Sequence, residues 1–304
     1  MNPASQGSEH AHSRTWLFPV LWTLVLLASF GTVKAIVTLS IESDRYTHTI
    51  VIAPITVLLI CLERRVVFRE AQVSWGLGLP ALIIAAIVYV LAAPWAQRGP
   101  LDDQLWLPAL AIIMMWVAVF VLLHGPRSAR NAIFPLCFLL FMVPVPGAIL
   151  DRVVHGLQEG SAQLTHVLFK LVRMPVMRDG FRFSLPGIDI EIAEECSGIR
   201  SSWALLITGT LAAHLFLRSA WTKLTFILLI IPVAIFKNAV RIVTLSYLAV
   251  YVNREFLLGP LHHKGGALFA LVGFAILVPA LFLLRKLDDR RRTAPGQTAR
   301  PVPA

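Results

Sequence analysis

The sequence predicts an all-α membrane protein of about eight transmembrane helices, with an interfacial helix on the outer side and a small hairpin before the sixth span. Three observations carry this prediction. The 304 residues are 57% hydrophobic and only 14% charged, with mean hydropathy +0.73, whereas soluble chains carry roughly a quarter charged residues. Apolar runs of about twenty residues, long enough to cross a bilayer as helices, recur along the chain. Basic residues fall asymmetrically around those runs. The apolar content also excludes a disordered or collagen-like chain.

Taken in order, the runs are 16–40, 46–62, 75–97, 105–124, 132–149, 199–217, 224–252 and 266–284. Residues 1–15 form a polar cytoplasmic tail without a small-residue cleavage site, so the first run reads as a retained helix rather than a removed signal peptide. Residues 16–285 form one polytopic membrane domain, and 286–304 a basic, disordered cytoplasmic tail rich in Pro and Thr towards its end. With the N-terminus inside, the inner segments hold fourteen basic residues, from Arg14 to Arg300. The short outer loops hold four: Arg45, Arg98, Arg254 and Lys264. This bias places both termini on the cytoplasmic side of the cytoplasmic (inner) membrane. It also accounts for the net charge of +10 without a nucleic-acid partner.

The outer connection 150–198 breaks the pattern. Leu150, Val153, Val154, Leu157, Leu164, Val167, Leu168 and Leu171 recur at helical spacing, with Asp151, Arg152, Gln158, Glu159 and Lys170 largely opposite. That is an amphipathic helix, lying on the outer interface or capping the bundle. A turn at Arg178-Asp179-Gly180 follows. Alternating residues then flank Pro186-Gly187, which reads as a hairpin. The hairpin delivers the chain to Glu194-Glu195-Cys196 at the mouth of the sixth span.

Charged groups inside a span cost roughly 2.5 kcal/mol or more near the bilayer centre and mark function by default. The seventh run contains Lys237, Asn238 and Arg241. Arg241 lies seventeen residues beyond Leu224, about 26 Å along a helix and close to the outer boundary. Asn238 and Arg241 are three apart and share a face; Lys237 reads as a snorkelling side chain. Of the three cysteines, Cys61 and Cys137 sit inside apolar runs and read as packed small hydrophobes. Cys196 instead falls where an outer loop enters a helix N-terminus, a position that favours the thiolate. Glu194 and Glu195 oppose this, so a nearby cation is needed, with Arg200 and Arg241 as candidates. His262 and His263, before Gly265-Gly266 at the outer entrance of the eighth span, supply a proton acceptor at the same depth. Cys196, Arg241 and His262 or His263 are far apart in sequence, yet the topology brings all three to the outer leaflet. Such a constellation suits acyl transfer through a thioester: the thiolate attacks a carbonyl, Arg steadies developing charge or donates a proton, and His moves protons.

These residues resemble the exosortase/archaeosortase family of multipass cysteine transpeptidases. The resemblance is carried by Glu195-Cys196-Ser197-Gly198-Ile199-Arg200, Asn238-x-x-Arg241 and Leu261-His262-x-x-Gly265-Gly266. Asp44-Arg45-Tyr46-Thr47-His48, Arg64-Arg65 and Phe141-Met142-Val143-Pro144-Val145-Pro146 add weaker support. It implies an enzyme that cleaves C-terminal sorting signals of exported proteins, each a short motif (Pro-Glu-Pro in the best-known substrates), one span and a basic tail. It further implies Cys196 as acyl-thioester nucleophile, Arg241 as proton donor and His262 as stabiliser or base. The His-x-x-Gly-Gly spacing favours His262 over His263. Glu195, Arg200, Asn238 and His263 are supporting candidates. No cofactor or metal is expected; the partners are the sorting-signal substrates, the lipid bilayer and, as a further class, exopolysaccharide assembly proteins. The competing reading is a transporter, or an exopolysaccharide or lipid-linked glycan assembly factor without protease activity. A transporter would need polar groups spread through the membrane depth, whereas here they cluster at one leaflet.

Overall fold

The computed structural model describes residues 17–43, 45–92, 100–192, 198–257 and 266–293, with the side chains of 267 and 291–293 left aside. Helices dominate throughout. The chain divides into two compact units, Met1–Leu150 and Asp151–Ala304.

The first unit contains α1 (Leu17–Ala28), α2 (Phe30–Glu42), α3 (Thr49–Leu62), a short α4 (Arg64–Val67), α5 (Trp75–Ala92), α6 (Leu101–Asn131) and α7 (Ile133–Phe138), which continues as a 3-10 turn, Leu139–Met142. The single span expected over 16–40 is instead two helices bent by 80°. The bend falls at Ser29, whose hydroxyl donates to the Val25 carbonyl at 2.6 Å; with Gly31 two residues on, this is the Ser/Gly setting in which helices kink. The α5 and α6 backbones pack so closely that a Cβ on Gly78 would lie 2.3 Å from the Leu122 Cα. Further along, α6 breaks at Gly125 (φ +81°) before Pro126. Proline has no N–H for the Leu122 carbonyl four residues back. The Ser74 N–H donates to that carbonyl instead (2.9 Å), and the Gln72 N–H donates to the His124 carbonyl (3.1 Å). The core around Ile112, Ile113, Trp116 and Leu139 includes a Trp22–Trp116 stack with centroids 4.5 Å apart.

Helix α8 (Gly147–Leu171) starts in the first unit and continues into the second. In place of the straight span expected over 132–149, Pro144 and Pro146 separate Ile133–Met142 from α8, and the two meet at 91°. A residue before proline is pushed away from the helical region, so two prolines two positions apart end the helix. The predicted amphipathic helix is present, but its buried stripe is Leu150, Val154, Gln158, Ser161, Ala162, Thr165 and Phe169, whereas Val153, Val167 and Leu171 are exposed. Polar side chains occupy this stripe because they find partners: Gln158 Nε2 donates to the Ile192 carbonyl.

The hairpin region is a three-stranded antiparallel meander of β1 (Met177–Asp179), β2 (Arg182–Leu185) and β3 (Ile188–Glu191), one strand more than expected. Its turns use Gly180 (φ +58°) and Gly187 (φ +78°), the latter following Pro186, the pairing that a turn with a left-handed third residue requires. Phe183 and Leu185 alternate inward against Ala162 and Phe169 of α8 and Val243.

Three helices complete the second unit: α9 (Ile199–Phe216), α10 (Ala220–Tyr251) and α11 (Gly266–Thr293), packed around Leu205, Phe226, Ile230, Val233 and Leu277. Helix α11 carries on to Thr293, so residues 286–293, expected to be disordered, are helical. Asp288, only 5% exposed, anchors them: its carboxylate accepts from the Arg218 and Ser219 N–H groups and the Thr222 hydroxyl.

Among the described residues, four helices are long and apolar enough to cross a membrane: Trp75–Ala92, Leu101–Asn131, Ala220–Tyr251 and Leu268–Arg290. The number rises to six if each bent pair is one span. Among the described residues, the other two expected spans are shorter or more polar. Thr49–Leu62 has 14 residues, and the first turn of α9 carries Arg200, Ser201 and Ser202. Leu77, Ile84, Ile87 and Leu91 of α5, and Leu268, Leu271, Val278 and Phe282 of α11, are exposed. Contiguous apolar faces of this kind belong against lipid. Cys61 and Cys137, expected to pack inside, are exposed.

Candidate functional site

The N-terminus of α9 is built around Gly198. Its backbone is left-handed (φ +76°, ψ 17°), a conformation that costs other L-residues roughly 1–2 kcal/mol. Space imposes the same choice, since a Cβ there would lie 2.8 Å from Asn238 Oδ1 and 3.0 Å from its Cγ. The Gly198 carbonyl accepts from the Ser202 N–H at 2.9 Å, and from the hydroxyls of Ser201 (3.0 Å) and Ser202 (2.9 Å). The segment that follows the Cys196 position therefore enters its helix through a tightly bonded first turn.

Helix α10 meets that turn with Lys237 and Asn238, which are 2% and 1% exposed. Asn238 lies against Gly198, and its amide donates to Ser161 Oγ of α8 at 3.1 Å. Lys237 Nζ donates to Ser201 Oγ, so it does not snorkel. Its ammonium is turned inward because a hydroxyl on the neighbouring helix is in reach. Helix α8 comes close enough here that a Cβ on Gly160 would lie 2.8 Å from Ile235.

Of the residues singled out by sequence, Asn238 is buried at the junction of α8, α9 and α10. Arg241 is half-buried one turn further along α10, and Arg200 is exposed on the first turn of α9. Cys196, Glu195, His262 and His263 lie outside the described residues. Ser161, Ser201 and the inward orientation of Lys237 were not singled out. Serine in an apolar helix gives no signal unless its partner is known, and Lys237 was discounted as an interfacial side chain.

Beside the junction, an apolar groove of about 390 Å³ runs between α8, α9 and α10. Val153, Leu157, Ile199, Trp203 and Ile231 line it, together with Ser202. Its floor is therefore continuous with the first turn of α9.

A second polar cluster lies in the first unit. The buried Tyr46 hydroxyl donates to Asp102 Oδ2 at 3.0 Å and to the Val145 carbonyl at 3.4 Å, while the Gly147 N–H donates to Asp103 Oδ1 at 2.8 Å. An aspartate at a helix N-terminus satisfies a free N–H and complements the dipole, so Asp103 secures the start of α8. Two of the three weaker sequence segments, around 44–48 and 141–146, meet here. His48, in the turn before α3, is desolvated, which lowers its pKa from the usual value; hydrogen bonds with the Phe141 and Arg45 backbone oppose this more weakly. A depressed folded value means that the neutral ring stabilises the fold fully above the unfolded pKa of about 6.5, and that this contribution is lost as pH falls through the folded value. The melting temperature in detergent is expected to drop between pH 7 and pH 5, and His48→Gln to flatten that drop. An equal drop in both proteins would count against it.

A family model described as "Transmembrane exosortase (Exosortase_EpsH)" matches residues 39–279. No curated protein and no solved structure matches the chain.

Proposed function

Because the chain belongs to the transmembrane exosortase family, a multi-pass group concerned with protein sorting, we propose that it is a membrane-embedded cysteine transpeptidase or protease. Its substrates are exported proteins ending in a short motif, one apolar span and a basic tail. The Cys196 thiolate attacks the scissile carbonyl between motif and span, forming an S–C bond. Collapse of the tetrahedral adduct breaks the C–N bond, and the amine of the departing span takes a proton from Arg241. An amine or water then attacks the thioester, giving up a proton to His262, and Cys196 leaves as the thiolate; the proton on His262 returns to Arg241, which restores both side chains. The reaction takes place on the outer side of the cytoplasmic (inner) membrane, with both termini inside.

One observation supports this reading most directly: Gly198, two residues after Cys196, lies against Asn238, three residues before Arg241. Two motifs separated by about forty residues in sequence thus have the glycine of one against the asparagine of the other. The apolar groove along the same first turn offers a surface of the right character for the span that follows a cleavage motif.

The test is processing in vesicles of a reporter that ends in motif, span and basic tail, followed across pH. A thiolate at Cys196 and a suitably protonated His262 are both required, so a bell-shaped profile is expected. A reporter that stays full-length, or a rate flat from about pH 5 to 9, would contradict the proposal; transport of a glycan carrier without cleavage would favour the assembly-factor alternative.

A further inference from the structure

A cavity of about 300 Å³ lies within the first unit, walled by α1, α3, α4, α6 and α7. That volume is at the lower end of the range for small-molecule sites. Most of its lining is aliphatic or aromatic, yet Trp22, Thr56 and Trp116 are part of it. Thr56 is 1% exposed and Trp116 6%. Among the described residues, neither the Thr56 hydroxyl nor the two indole N–H groups has a hydrogen-bond partner. An indole N–H can only donate, and a buried one ordinarily finds an acceptor. Two such donors and a hydroxyl around one apolar cavity call for a ligand that brings oxygen acceptors. Water suits the place poorly, because it needs several polar partners at once.

Two further features define the ligand. Val57 and Cys61 line the cavity and are exposed on α3, so it opens sideways on an apolar helix surface, where acyl chains run. Arg64 lines it as well, where α3 gives way to α4; it is exposed and, among the described residues, has no ion pair. We propose that this cavity binds one anionic phospholipid. Its phosphate pairs with Arg64, its ester carbonyls accept from Thr56 and the indoles, and an acyl chain fills the apolar remainder. Anion, ester oxygens and hydrocarbon follow one another along such a lipid, as Arg64 at the end of α3 and Thr56 within it do here. Arg65 and Arg69 are exposed in the same segment but do not line the cavity. They supply only the general attraction of basic residues for an anionic surface, which makes Arg65 a control.

Native mass spectrometry of the full-length protein in detergent tests the site. Binding of phosphatidylglycerol and of phosphatidylcholine with the same chains is compared in wild type, Arg64→Gln, Arg65→Gln and Thr56→Val. Wild type is expected to retain one phosphatidylglycerol, bound about tenfold tighter than phosphatidylcholine. Arg64→Gln cuts that preference about fivefold, the attraction of one basic residue for an anionic headgroup, whereas Arg65→Gln leaves it within about twofold. Thr56→Val weakens both lipids about fivefold, the effect of one hydrogen bond. Cys61 gives a second readout. Phosphatidylglycerol at about ten times its dissociation constant slows alkylation of Cys61 by N-ethylmaleimide about tenfold, by mass action. Cys137, exposed and outside the cavity, reacts as before. Equal binding of the two lipids, or equal losses from Arg64→Gln and Arg65→Gln, overturns the proposal. So does phosphatidylglycerol that binds and leaves Cys61 as reactive as Cys137. Should Thr56→Val not fold, the protection of Cys61 decides.

Discussion

Cys196→Ala is expected to abolish reporter processing, by about 10⁴-fold or more, while leaving the melting temperature in detergent within about a degree of wild type. The magnitude follows from removing the proposed nucleophile; losses of that order accompany removal of a nucleophile whose partners remain in place. Little stability effect is expected, because the first turn of α9 is held by contacts of Gly198, Ser201, Ser202, Lys237 and Asn238 that this substitution does not remove. Cys196→Ser should be nearly as inactive, because a hydroxyl remains protonated where a thiol ionises. A processing rate in Cys196→Ala within tenfold of wild type would leave the thioester mechanism without support.

Gly198→Ala is expected to do damage of a different kind. The added methyl meets two penalties: a left-handed backbone (φ +76°) and a 2.8 Å approach to Asn238 Oδ1. The first costs about 1–2 kcal/mol. The second cannot be relieved by a simple rotation, because the Asn238 amide is bonded to Ser161 and both side chains are buried. Together they should destabilise the protein by about 2 kcal/mol or more and displace the α9 entrance, lowering processing about 100-fold, as an approximately 1 Å misplacement of a catalytic element does. Asn238→Ala in the same chain opens the space again, so the double variant should be more stable than the sum of its parts predicts. Strict additivity in urea or thermal unfolding would show that the two residues are not in contact.

Several features were legible from residue type and period alone: the helical membrane class, the long spans on α10 and α11, the amphipathic α8 and the sheet turns at Gly180 and Gly187. Hydropathy and glycine conformational preference act locally, so a sequence displays them. Asn238 was legible for a similar reason, as a polar residue out of place in an apolar run. Other features depend on partners distant in sequence. The bends at Ser29 and at Pro144–Pro146 turn two of the eight expected runs into bent pairs, because a run of apolar residues does not reveal whether its helix is straight. The buried stripe of α8 contains Gln158, Ser161 and Thr165, while Val153 and Leu171 face outward. Hydrophobicity assigns a face that shares Leu150 and Val154 with this stripe but is rotated from it, since it cannot register that Ile192 and Asn238 offer hydrogen bonds. Lys237 is the same lesson at higher cost: a lysine in an apolar span normally extends towards water at a membrane surface, and the presence of Ser201 on α9 turns it inward. The Tyr46–Asp102 contact joins residues 56 apart, a distance at which no local pattern operates.

The central claim is that Cys196 carries the acyl group. It is tested most directly by incubating the protein in vesicles with the sorting-signal reporter, quenching with acid and mapping the adduct by mass spectrometry. The account predicts a motif-terminated acyl group on the Cys196 peptide, released by hydroxylamine and missing from Cys196→Ala. Continued cleavage with no adduct at Cys196, or with the adduct on another residue, would contradict it.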